Sequence, residues 1–148
     1  MVSTTSALDS VQRVTAERER IVRELATLSE ADCLAPAQWN GIQRNVNFLL
    51  RAYSLHELDH LQHLQKLLTK RGRVFSEAQI LLSKAQALRG EVAALLLSLS
   101  DEEFDAAGPD EGDWSPRQLV EHLAQVDGNY ARNIQSAVEQ ARGRATTP

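Results

Sequence analysis

The sequence predicts an all-α fold, a four-helix bundle built from two helical hairpins, and three observations carry that reading. Only four prolines occur, Pro36, Pro109, Pro116 and Pro148, and no stretch sustains the apolar–polar alternation of a half-buried strand. Strong helix formers (Ala, Leu, Glu, Gln, Arg) dominate the chain, which favours helix wherever packing does not decide. Apolar residues recur three and four apart, the spacing that gathers them on one helical face. At 148 residues, 43% hydrophobic, the chain is long enough to bury a core without staples, and a single domain over residues 1–148 is expected.

Four helices follow in order. The first is expected from about Leu8 to Leu28, the second from about Asn40 to Lys70, so that hairpin 1 covers about 8–70. The third spans about Glu77 to Leu99 and the fourth about Ser115 to Ala141, giving hairpin 2 over about 77–141. Ser115 followed by Pro116 supplies an N-cap hydroxyl and a proline preset for the first helical turn. Ser76 is a plausible cap for the third helix. Gly72 falls in the connection between the second and third helices. Gly108-Pro109, with Asp110–Gly112 beyond, is strong turn chemistry ahead of the fourth.

A weak internal repeat supports two hairpins of similar design. Leu25-x-x-Leu28-Ser29-Glu30 is echoed by Leu96-x-x-Leu99-Ser100-Asp101. Each is followed by a tryptophan expected to open the next helix, Trp39-Asn40 and Trp114-Ser115. The series Ile42, Val46, Leu49, Tyr53 then matches Leu119, Leu123, Val126, Tyr130 in spacing. The histidines are not repeated.

Composition excludes several classes of function. The net charge is −4. Residues 76–148 carry 12 acidic against 6 basic side chains, and residues 1–75 carry 8 against 10. Nucleic acid binding needs a basic stripe; only Lys70–Arg73 (KRGR) offers one, and it suits a solvated loop. No apolar run approaches the roughly 18 residues of a membrane span. The N-terminus lacks the basic and apolar segments of a signal peptide. One cysteine, Cys33, allows no intrachain disulfide and suits a reducing compartment. A cytoplasmic protein without nucleic acid or membrane partners is expected. Cys33 has no basic neighbour in sequence, so no nucleophilic role is assigned to it.

The histidines carry the chemistry. His56, His60 and His63 lie in the second helix and His122 in the fourth. His56 and His60 are four apart, so both imidazoles project from one face and can share an ion. That face also holds Ile42, Val46, Leu49, Tyr53, Leu64 and Leu67, which directs the pair toward the bundle interior; His63 lies at its margin. His122 flanks the apolar stripe of the fourth helix, where a facing helix would supply a third ligand. Three imidazoles suit Zn²⁺, Ni²⁺ or Fe²⁺, with water completing the shell. HELDH (His56–His60) also satisfies the HExxH pattern of zinc peptidases, with Glu57 as general base. The downstream extension is missing, Glu77 is a poor third ligand, and no substrate-binding strand is expected, so peptidase activity is disfavoured. A structural role for the histidines stands beside the metal reading.

On these residues the sequence resembles the DinB/YfiT-like superfamily of metalloenzymes. WSPRQLVEHLAQVDGNY (Trp114–Tyr130) looks like the helix that supplies one metal-binding histidine in that family. RNVNFLLRAYSLHELDHLQHLQKLL (Arg44–Leu68) looks like the helix whose HxxxH supplies two. The resemblance implies a metal triad of His56, His60 and His122. The two helices come in the reverse of the family's order, so the chain reads as a permuted version. At about 1.5 Å per residue, His56 lies about 25 Å along its helix and His122 about 11 Å along its own. A triad within one chain therefore needs those helices antiparallel; otherwise His122 comes from another subunit.

The resemblance further implies an enzyme using a low-molecular-weight thiol, as an S-transferase or isomerase, on a small-molecule substrate. The metal would lower the thiol pKa and hold the thiolate ready for attack. Hydrolysis by metal-activated water is possible at the same site. Tyr53, one turn before His56, is placed either to line the cofactor cavity or to pack in the core. Glu57 and Asp59 could orient imidazoles, although Asp59 angles toward solvent. The alternative is a non-enzymatic helical interaction or dimerisation module, with a structural metal or none, in which excess apolar surface marks a homodimer contact.

Overall fold

The computed structural model describes residues 6–145. These residues are mostly helical, with six helices and one two-stranded hairpin. The order is α1 (Ala7–Leu25), α2 (Glu30–Cys33), β1 (Pro36–Trp39), β2 (Ile42–Asn45), α3 (Val46–Lys70), α4 (Glu77–Leu97), α5 (Asp101–Asp105) and α6 (Pro116–Ala145). The chain divides into two compact units, one ending at Ser98 and the other beginning at Leu99. None of the described helices is long and apolar enough to cross a membrane.

The hairpin corrects the sequence reading, which had no strand and began the second helix near Asn40. Pro36 pairs with Asn45, Ala37 with Arg44, Gln38 with Gln43 and Trp39 with Ile42, all antiparallel. The two residues left over, Asn40 and Gly41, have φ of 49° and 77°. Two consecutive positive φ values make the tight turn whose twist matches that of the strands, and Asn-Gly is the dipeptide that best tolerates it. Ile42 therefore belongs to β2, and its apparent helical spacing to Val46 is coincidental. The helix starts only at Asn45, whose Oδ1 accepts the Phe48 N–H at 2.9 Å. The Val46 N–H donates to the Ala35 carbonyl at 3.1 Å, tying the base of the hairpin to the head of α3.

The other helix starts follow from side-chain caps. Ser6 caps α1, and Ser29, Ser76 and Ser100 cap α2, α4 and α5. The last three form reciprocal capping boxes with Asp32, Gln79 and Glu103, which satisfy two orphan N–H groups each. The short helices α2 and α5 were not expected, yet they sit at matching points of the repeat, immediately after Leu28 and Leu99.

In the first unit α1 lies beside α4. The half-buried residues Ile21, Val22, Val46, Leu49, Val92 and Leu96 mark where the apolar interior gathers. In the second unit α5 packs on α6. Arg117 ion-pairs with Asp105 and stacks over the Phe104 ring at 4.9 Å. Ser115 begins α6: its N–H donates to Gln118 Oε1 at 2.8 Å, and its Oγ accepts the Gln118 N–H at 3.3 Å. At 7% exposure it is the one buried residue among those described.

Candidate functional site

α3 places three imidazoles along one side of a single helix. The Nε2 atoms of His56 and His60 are 3.1 Å apart, with ring centroids 4.4 Å apart and planes at 79°. His63 stacks at 6.4 Å from His60. Zinc–imidazole bonds are about 2.0–2.1 Å. Two nitrogens on one ion at that length stand about 2.9 Å apart at a right angle and about 3.3 Å apart at the tetrahedral angle. The observed separation falls between these, so the distance suits two adjacent positions on a divalent metal. The same separation suits an N–H···N bond in which one imidazole donates and the other accepts. The pair can hold a metal or share a proton, and two nitrogens leave further coordination positions for other donors.

An apolar cavity of about 690 Å³ adjoins the pair, within the size range of small-molecule sites. His56 and Tyr53 line it from α3, Trp39 from β1, and Leu25 and Leu28 from the end of α1 and the turn after it. Arg18 of α1 fixes this wall. Its guanidinium lies over the Tyr53 ring at 4.7 Å and donates to Glu57 Oε1. Tyr53 and Glu57 flank His56 in sequence, so one arginine steadies both neighbours of the first imidazole. Glu57 is thereby engaged with α1, a different post from that of a peptidase base.

His122 belongs to the second unit. Its ring meets Trp114 edge-on, with centroids 5.0 Å apart at 71°. Within either unit, among the described residues, no group of three or more His, Cys, Asp or Glu side chains is gathered to hold a metal. His56 and His60 are both exposed, where an interior position was expected. The contacts that Arg18 of α1 makes with α3 fall at Tyr53 and Glu57, on either side of His56.

Sequence reasoning missed Trp39 and Arg18. Trp39 was read as a helix opener, and the signal that would have placed it was the Asn-Gly dipeptide beside it. Arg18 carried no signal, because its partners are 35 and 39 residues away. Comparison with family models, with curated proteins and with solved structures gave no match.

Proposed function

We propose that this chain is a cytoplasmic, divalent-metal-dependent enzyme of the DinB/YfiT-like kind. In this reading α1, α3, α4 and α6 form a four-helix bundle, and His56, His60 and His122 hold Zn, Ni or Fe. The observation that carries it is the His56–His60 Nε2 separation of 3.1 Å beside a cavity of about 690 Å³. The reaction class, a low-molecular-weight thiol attacking a small electrophile in S-transfer or isomerisation, rests on the resemblance. When bound, the metal supplies acidification of the thiol. The chain's own residues do the remaining work: Trp39 and Tyr53 offer apolar faces to the organic part of the substrate, and Arg18 holds Tyr53 in place.

The test is metal content of protein purified without a histidine tag. Stoichiometric metal in wild type, lost in His60→Ala with helicity retained, supports the site. Loss in His122→Ala as well supports the triad. Metal-free wild type whose melting temperature is unchanged by added Zn²⁺ overturns the reading. The second reading, a non-enzymatic interaction module, is favoured by the many half-exposed leucines of α3 and α4. A thiol-dependent turnover assay separates the two once metal is established.

A further inference from the structure

We infer, building on the metalloenzyme reading, that the substrate of this site is an uncharged molecule with an apolar, ring-bearing body held in the cavity beside His56. Of the eleven described residues that line this cavity, seven are aliphatic and none is Lys, Arg, Asp or Glu. All of them lie between Ile21 and His56, so the walls belong to the first unit alone. An ionised group brought into such a lining gives up its water and finds no countercharge there, which excludes it. Arg18 lies over the Tyr53 ring but is not part of the lining, and its guanidinium is paired with Glu57.

The polar groups of the lining are few: Gln38, the Trp39 indole, the Tyr53 hydroxyl and the His56 imidazole. A handful of hydrogen-bonding groups set among apolar walls is the make-up of a small-molecule site, and about 690 Å³ suits a drug-sized ligand. Trp39 from β1 and Tyr53 from α3 bring two aromatic rings to the same space, and such rings hold another ring by offset or edge contact. His56 lines the cavity, whereas His60 does not and is exposed. The uncharged reactant therefore has its place on the His56 side. A thiol that carries carboxylates finds no cation in the lining and stays with His60 on the solvent side. The site separates its two reactants by charge.

The experiment compares two fluorescent probes on the full chain in EDTA. N-phenyl-1-naphthylamine is uncharged, and 1-anilinonaphthalene-8-sulfonate is the same ring system with one sulfonate added. The uncharged probe is expected to bind one to one with a dissociation constant on the order of 10–100 μM. The sulfonate should bind at least about tenfold more weakly. Ala52→Phe, which fills part of the cavity, should weaken the uncharged probe at least about tenfold. Should that variant not fold, the wild type decides by NMR: the Trp39 indole N–H signal should move on addition of the uncharged probe, and the Trp114 signal should stay. No saturable binding of the uncharged probe overturns the proposal. So does a sulfonate that binds as well, or a bound probe that leaves the Trp39 signal in place. Because EDTA is present throughout, a failed metal site leaves probe binding as it is, and a failed cavity leaves the metal content of the untreated protein as it is.

Discussion

Gly41→Ala tests how the hairpin holds both the cavity wall and the head of α3. Gly41 has φ of 77°, and an added Cβ would have nothing within 4 Å. The entire cost is therefore backbone conformation, about 1–2 kcal/mol for an L-residue in the left-handed region. Alanine also restricts the unfolded chain, which returns about 0.4–1 kcal/mol. The net expectation is a loss of about 0.8 kcal/mol, within a range of about 0–1.6 kcal/mol. Asn40→Gly, at φ of 49°, relieves the same strain at the other turn position and should lie within about 0.5 kcal/mol of wild type. The assay is urea unfolding of Trp114→Phe protein, so that emission reports Trp39 alone. Gly41→Ala should lower the midpoint at constant m-value and shift the native emission, because Trp39 is paired beside the turn. A Gly41→Ala variant more stable than wild type, or an Asn40→Gly variant weaker than Gly41→Ala, refutes the reasoning.

Three further outcomes follow from the caps and ring contacts. Asp32 accepts from the Ser29 hydroxyl at 2.7 Å and from its N–H at 2.9 Å, which hold the carboxyl below its usual range. This lowered pKa contributes stability above the unfolded value of about 3.9, lost as pH falls through the folded one; carbon NMR titration should show the midpoint rising in Ser29→Ala. A Cβ on Gly108 would sit 2.2 Å from Asp113 Oδ2 and displace the bond Asp113 accepts from the Asp110 N–H. Gly108→Ala should cost about 1 kcal/mol and Gly108→Ala/Asp113→Ala little more than Asp113→Ala, both followed by Trp114 emission in urea. Trp114 and His122 should couple by about 0.5–1 kcal/mol in a double-mutant cycle, and strict additivity would show that the ring contact is not formed.

The helices were legible because their signals are local. Glu77 and Lys70 were placed to the residue by a serine cap and by a Gly-containing turn, and Ser115 by its proline. The hairpin was not legible to a search for periodicity, since strands of four residues are too short to show alternation. Its single strong signal was Asn40-Gly41, hidden within an apparent helical series. The i, i+4 spacing was enough to bring His56 and His60 together. Trp39 reaches the cavity wall, and Arg18 reaches Tyr53 and Glu57, through tertiary contacts that no window of sequence contains.

The pairing of α1 with α4 has a consequence for how the chain emerges during synthesis. Arg18 and Arg89 line one cavity of about 410 Å³, yet 71 residues separate them in sequence. At about 5–20 residues per second, α1 waits about 4–14 s after leaving the ribosome before its neighbour exists. A helix in a protein draws most of its stability from packing of its apolar face, so Val14 and Val22 of the 19-residue α1 spend those seconds as unprotected apolar chain. The first unit can close only when α4 is out. Truncation anywhere before Leu97 should therefore leave α1 a substrate for chaperones and proteases rather than part of a shorter folded piece.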